Sequence, residues 1–310
     1  MDGDAEAIRA LIEERDQLKQ HCERLQALTA NLAYPAGHFY SPVVDTSDPH
    51  AAAAVASRAA SPLPAGIHID LERMKAVMRE LSDQQRRFPF PRQKQPEYHY
   101  YFDNPFFGCH DASIWFSMLL HYKPRRVIEV GCGYSTCLLL DVNDRFFAGN
   151  LELTLIDPAL DSHSDLFGEL RGANVHRMSS PLQDVSLALF ETLEANDVLF
   201  IDSSHVCKTG SDVNYYFFEI LPKLKPGVLV HVHDVLYPFE YPQDWVLREK
   251  RSWNEAYLLR AFLQYNSAFE ILYWANLAYH RLGDLLAQTM PLCLENEGGS
   301  IWMRRLDPRA

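Results

Sequence analysis

Residues 126–136, RVIEVGCGYST, constrain the fold more than any other stretch of the chain. Val127, Ile128 and Val130 form a short apolar run of strand type, with Glu129 close to its carboxyl end. Gly131 and Gly133 then make a tight turn into the apolar helical run Cys137–Leu140. Strand, glycine turn and helix in succession build the ligand-facing corner of an α/β sheet, whose ligands bind beyond the carboxyl ends of the strands. The corner also sorts ligands. A dinucleotide site calls for G-x-G-x-x-G, and here Thr136 stands at the third glycine position. No G-x-x-x-x-G-K-[ST] follows, which removes a P-loop. An acid just ahead of the glycines faces a pyrophosphate unfavourably and suits a ligand bearing an ammonium group. Taken alone, the corner also fits a plain strand-to-helix turn in a sheet that binds no nucleotide.

The next segments repeat the pattern of an apolar strand with an acid at its tip. Leu151–Ile156 reads as a second strand ending at Asp157, a position from which a carboxylate accepts ribose hydroxyls. Its separation from Glu129 exceeds the usual ~20 residues, and Asn143–Asn150 absorbs the excess. A weak third strand, Asn174–Arg177, leads into Ser179, Ser180, Gln183 and Asp184, polar side chains of the kind that read an adenine edge. Asn196–Ile201 ends at Asp202, Gly227–His233 ends at Asp234, and Phe269–Trp274 and Gly299–Arg305 read as closing strands.

On these residues the chain resembles the class I S-adenosylmethionine-dependent methyltransferases. The resemblance rests on Glu129-x-Gly131-x-Gly133, on Asp157, on Asp202-Ser-Ser-His205, and on LPKLKPG at Leu221–Gly227 ahead of the fifth strand; it covers roughly residues 98–306. The phrases FIDSSH and VHVHD look most like the small-molecule branch of macrocin-type and catechol-type O-methyltransferases. The resemblance implies an α/β protein with a Rossmann-like seven-stranded sheet and an antiparallel last strand, here behind an N-terminal helical extension. It implies S-adenosylmethionine as cofactor, held by Glu129, Gly131, Gly133, Ser135, Thr136, Asp157, Ser180, Asp202 and Ser203. The aromatic stretch Tyr98–Phe107 lies just before the sheet and adds Tyr101 and Asn104 as pocket-facing candidates, since a sulfonium is drawn to aromatic faces. The expected reaction is methyl transfer to an O or N atom of a small molecule. Two other readings share the same pocket. One is transfer or cyclisation of the cofactor's aminocarboxypropyl arm, releasing methylthioadenosine; the other is a non-catalytic dimeric partner with the same fold.

The acceptor's proton needs a base. His205, His231, His233 and Asp234 are the candidates, because a free imidazole titrates near pH ~6.5. Strand alternation puts His231 and His233 on one face. His231 reads as a core residue and His205 and His233 as bases, with Asp234 a further catalytic candidate beside His233 at the strand tip, nearest the pocket. In catechol-type relatives, acids and amides at these tips hold magnesium. The matching positions here are Asp202, His233 and Asp234, and the imidazole departs from the all-oxygen set that magnesium prefers. A divalent metal therefore stays open. Beyond the fifth strand, the Pro-broken aromatic loop Tyr237–Trp245 reads as an acceptor lid, with Glu240, Trp245, Trp253 and Asn254 as contact candidates.

The chain's 310 residues, 47% apolar, can bury a full core. A net charge of −12, from 29 basic and 41 acidic residues, argues against a nucleic-acid partner. No apolar run reaches the ~18 residues of a membrane span, and residues 1–20 lack the apolar centre of a secretory signal. Six cysteines without a C-x-x-C pairing read as reduced thiols of a cytoplasmic protein, Cys132 being a small filler in the turn. Three regions are expected: residues 1–34, 35–97 and the catalytic domain 98–310. In the first, a helix over Glu6–Leu32 carries Leu11, Leu18, Leu25 and Leu32 at seven-residue spacing, which suits either a homodimer arm or a lid on the chain's own domain. The second holds the turn His38-Phe39-Tyr40, whose role is open, an Ala/Ser/Pro-rich linker over Asp45–Ala65, and a helix running to Leu81 that Pro89-Phe90-Pro91 terminates.

Overall fold

The computed structural model describes residues 2–56, 61–168 and 174–307. They form two compact units. One takes in the chain through Ala56 together with Pro242–Ser252; the other runs to Tyr241 and resumes at Trp253. The helix after Ile67 belongs to the same unit as the sheet and packs on it.

In the first unit, α1 spans Asp2–Thr29. It stops three residues short of the expected Leu32, where the Thr29 hydroxyl turns back to the carbonyls of Leu25 and Gln26 at 3.1 and 3.3 Å. Leu11, Leu18 and Leu25 are all exposed. The expected linker holds a second helix, α2, at Pro49–Ala56. Asp48 caps it through Oδ1, which accepts the His50 N–H at 2.8 Å, and Pro49 takes the first helical position. Alanine favours a helix once a start is supplied, so this part of the expected linker is ordered. In the turn ahead of it, the His38 ring stacks on Tyr34 at 4.7 Å.

The second unit is a seven-stranded sheet. Its strands are β1 Arg126–Val130, β2 Glu152–Ile156, β3 Val175–Met178, β4 Val198–Ile201, β5 Leu229–Val232, β6 Phe269–Trp274 and β7 Ile301–Arg305. They lie in the order β3-β2-β1-β4-β5-β7-β6. The first five are parallel, and β7 runs antiparallel to both β5 and β6. The sequence expectation of a Rossmann-like sheet with an antiparallel last strand is met. Every residue of β4 and β5 is buried; β4 therefore reads as an unbroken apolar run, and β5 is apolar but for His231. Helix α3, Leu71–Gln85, is capped by Asp70 and buries Met74, Val77, Met78 and Leu81, one face at helical spacing. It packs on α4, Cys109–Tyr122, which is buried nearly all round. Helix α5, Tyr134–Phe147, follows the glycine turn. Among the described residues no helix is long and apolar enough to cross a membrane.

Candidate active site

The parallel register lines up the residues that follow each strand. Val130 sits beside Ile156 on one side and Ile201 on the other, so Gly131, Asp157 and Asp202 emerge together at the carboxyl edge. The ladder continues one step past the strands: Gly131 N–H donates to the Ile156 carbonyl at 2.9 Å, and Asp202 N–H to the Val130 carbonyl at 2.8 Å. Gly131 adopts φ +81°, and a Cβ there would stand 1.7 Å from the Asp202 carbonyl oxygen. Only glycine satisfies both conditions. At Gly133 a Cβ would meet no atom within 4 Å.

Three side chains shape the turn. Thr136 accepts the Gly133 N–H at 3.1 Å, so the residue at the missing third glycine caps α5. Ser135 donates to Glu129 Oε1 at 2.6 Å. Asp157 accepts the Cys132 N–H on Oδ2 at 2.9 Å and the Ala159 N–H on Oδ1 at 2.6 Å, tying the turn to the tip of β2. Each of its oxygens keeps a second lone pair for a ligand hydroxyl.

Glu129 is fully buried, and its Oε2 has no hydrogen-bond partner. Burial pushes its pKa up to about 8, against the opposing bond from Ser135. The free protein thus holds Glu129 largely protonated at neutral pH, while the unfolded chain, near 4.5, ionises it. This acid detracts from stability as pH rises from about 4.5 towards 8, and not below. Glu129→Gln is expected to raise the melting temperature at pH 7, by on the order of 1 kcal/mol or more of stability. If the carboxylate also meets a ligand ammonium, wild-type affinity for S-adenosylmethionine rises between pH 6 and 8, and the variant binds more weakly with no such slope. Calorimetric titrations across that range check both; a flat wild-type profile contradicts the role.

A cleft of about 410 Å³ opens at this edge, lined by Gly131, Asp157, Pro181–Gln183, Asp202 and Ser203. The structure puts the Pro181–Gln183 segment on it rather than Ser180. Ser203 Oγ is buried without a partner there. Asn104 lies elsewhere, on a separate pocket with Asp103 and Glu295. Its amide is spent locally, donating to the carbonyls of Tyr101 and Phe107 and accepting the N–H groups of Phe106 and Phe107. It staples its loop and has no donor left for a ligand. The Tyr101 hydroxyl lies 3.3 Å from that of Tyr134 at the start of α5, and Tyr101 is not among the residues lining the cleft.

Next to the cleft, His205 stands between the tips of β4 and β5. Its Nε2 lies 3.3 Å from Asp202 Oδ1 and 3.5 Å from Asp234 Oδ2, and its Nδ1 meets Glu255 Oε2 at 2.7 Å. Glu255 is buried and also accepts the Tyr216 hydroxyl at 2.7 Å. The His205 carbonyl takes the N–H groups of Asn254 and Glu255, which fixes the loop, and the Trp253 ring lies 4.3 Å from the imidazole. Asn254 further clamps Cys207 through both ends of its amide, so it braces the loop rather than facing an acceptor. His205 and Asp234 both have positive φ, 59° and 55°, an unfavourable conformation for residues with a Cβ that is common where a site is held in place. Burial alone would lower the His205 pKa, but the bonds to Asp202 and Glu255 and their charges outweigh it and hold it well above 6.5. Asp202 is brought down to about 2: burial opposes this, and the charges of His233 and His205 overcome it. Burial pushes Asp234 up.

His233 is buried at the end of β5. Alternation puts it on the face of His231, against the Phe107 ring at 5.4 Å, with Nδ1 unpartnered and Nε2 3.8 Å from Asp234. His231 stacks on Phe200 at 3.7 Å and is a core residue. The group whose ligand atoms converge, all within 4.8 Å, is Asp202, His205 and Asp234, with His205 in the place expected for His233. Glu255 was missed altogether. It lies fifty positions from His205 in the chain, and nothing local in the sequence marks the pairing. Of the lid candidates, Glu240 is engaged by the Tyr257 hydroxyl at 2.5 Å, and Trp245, in the first unit, lies under the Arg251 guanidinium at 4.3 Å.

This sheet order, with a cleft at the tips of its parallel strands, defines a class I methyltransferase fold. A family model described as "Methyltransferase domain" matches residues 128–235, the segment from β1 through β5 that carries Glu129, Asp157, Asp202, His205 and Asp234. The chain is an S-adenosylmethionine-dependent methyltransferase. It belongs to the same family as a protein of Archaeoglobus fulgidus described only as uncharacterized, with 31% identity over 168 residues, which covers 53% of this chain and 75% of the relative. Among solved structures it is similar to a DUF574 family protein from Streptomyces avermitilis, at 11% identity and TM-score 0.40, over 63% of this chain and 80% of that one. It is also similar to coclaurine N-methyltransferase bound to N-methylheliamine and SAH, at 12% identity and TM-score 0.34, over 77% and 88%. Both likenesses are distant.

Proposed function

We propose that the chain methylates an oxygen or nitrogen of a small molecule, with His205 as the base that takes the acceptor's proton. The observation that carries this reading is the position of His205, one imidazole set between Asp202 on the cleft and Asp234 on the next strand, with its far nitrogen held by Glu255. Glu255 fixes the tautomer and the orientation, leaving Nε2 to meet a proton. The cofactor fits the cleft: Asp157 has lone pairs for ribose hydroxyls, Pro181–Gln183 offer a wall for adenine, and the orphaned Glu129 Oε2 has the charge an ammonium needs once deprotonated. Bound there, S-adenosylmethionine supplies an activated methyl group, and the chain's residues have only to position the acceptor and relieve it of a proton. The acid-lined cleft and the net charge of −12 favour a small neutral or cationic acceptor over a nucleic acid. Release of S-adenosylhomocysteine on turnover tests the reaction; methylthioadenosine as product would overturn it.

A base must be free of its proton. With the His205 pKa held well above 6.5, activity is gained as pH rises through that raised value. The ascending limb of kcat/KM, which reports the free enzyme, is expected above pH 6.5. Glu255→Gln removes one of the carboxylates that raise it, so the limb should move to lower pH. A wild-type limb at or below 6.5 contradicts His205 as the base.

A second reading is favoured by the convergence of Asp202, His205 and Asp234. Two carboxylates and an imidazole whose other nitrogen meets a carboxylate also make a fitting donor set for a divalent cation. Such an ion would acidify an acceptor hydroxyl, and Glu255 would then orient a ligand instead of a base. Exhaustive chelation separates the two: full activity is expected to survive if His205 is the base, and to be lost and restored by added metal if it is a ligand.

A further inference from the structure

Helix α1 presents a seam for a second copy of itself. Leu11, Leu18 and Leu25 are 64%, 58% and 49% exposed, and Ile12 beside them is 44% exposed. Their seven-residue spacing keeps the leucines on one stripe of the helix. Four consecutive charged residues, Glu13–Asp16, break the hydrophobicity between the first two leucines, so the stripe is narrow, as in a coiled-coil seam, rather than the broad face a globular core requires. With the leucines at the d positions of the heptad, Arg15 and Cys22 fall at a, Glu14 at g and Lys19 at e.

We propose that α1 pairs in parallel with α1 of a second copy of this chain. The charges choose the occupant and the direction. In a parallel pair each g residue faces the e residue five positions on in its partner, which sets Glu14 against the second copy's lysine at position 19, and by symmetry twice over. An antiparallel pair matches g with g and e with e, and loses that complementarity. Arg15 at an a position is a polar residue in the seam, a device that fixes register and two-strandedness at some loss of stability. It lies exposed, bonded to Asp16 at 2.7 Å. Cys22 is the exposed cysteine of the chain. At an a position of a parallel pair it faces its own symmetry mate across the axis, whereas an antiparallel pair does not bring the two together. The leucine stripe from 11 to 25 is only about 21 Å long at ~1.5 Å per residue, so the pair is expected to be reversible and concentration-dependent.

The test uses the full chain. Light scattering during size exclusion is expected to give a mass near twice the 35.6 kDa of the chain at high concentration, falling on dilution. Leu18→Glu should return it to the single-chain mass at all concentrations while S-adenosylmethionine binding is unchanged. Mild oxidation with diamide, which accepts the two protons and two electrons released when two thiols join, should give a disulfide-linked dimer that Cys22→Ser abolishes. A single-chain mass for wild type, a dimer that survives Leu18→Glu, or a dimer without the Cys22 cross-link would each overturn the proposal. Because cofactor binding and activity are read separately, failure here leaves the methyltransferase assignment untouched.

Discussion

Replacing Gly131 with alanine should abolish cofactor binding and lower stability by about 3–5 kcal/mol. A Cβ at this position would stand 1.7 Å from the Asp202 carbonyl oxygen, and that oxygen belongs to the main chain rather than to the end of a flexible side chain. Relief requires either moving the tip of β4 away from β1 or abandoning φ +81°, which alanine already disfavours. Either movement breaks the alignment of Asp157 and Asp202 on the cleft. Gly133→Ala is the matched control. No atom lies within 4 Å of its Cβ, so stability should change by no more than about 0.5 kcal/mol. If the cofactor backs onto that open backbone, its affinity should still fall. Thermal unfolding and calorimetric titration of the two variants side by side check this. Equal stability losses at the two glycines would contradict the crowding at Gly131.

The second large effect is expected at His205. His205→Asn should reduce kcat by ~10²–10⁴-fold, the range for loss of a positioned base, and leave the affinity for S-adenosylhomocysteine within a few fold of wild type. The variant should also lose stability at low pH. The imidazolium between Asp202, Asp234 and Glu255 favours the folded state, fully so below pH 6.5, and this contribution fades as pH rises through the elevated folded pKa. Comparing wild type and variant at pH 6 and pH 9 therefore separates the structural effect from the kinetic one. The stability gap should narrow at the higher pH, while the rate gap should persist or widen as the wild-type base becomes free. A variant that keeps full activity would assign the proton to another group.

The parts of this fold that were legible in the sequence are those fixed by local rules. The buried parallel strands β1, β4 and β5 were legible because most of their residues are apolar, as burial on both faces of a parallel sheet requires. The glycine turn was legible because close approach of two backbones leaves glycine no substitute. Asp157 and Asp202 were legible because they end strands, and strand ends in such a sheet share one edge. Pairings across the chain were not. Glu255 opens the helix Glu255–Leu263 and reaches His205 only through the return of the chain after β5. His205 was legible as a base from its place after the fourth strand, but that it, and not His233, converges with Asp202 and Asp234 depends on the positive φ that turns it back between the strand tips, which leaves no mark in composition. Asn104 misled in the opposite sense, since an amide in an aromatic stretch looks ligand-ready until its local hydrogen bonds are counted.

A crystal structure with bound S-adenosylhomocysteine tests the arrangement most directly. The ribose is expected at Asp157, the adenine against Pro181–Gln183, and the sulfur directed towards the side of the cleft that Asp202 shares with His205. Adenosine bound away from Asp157, or a sulfur facing away from His205, would contradict it.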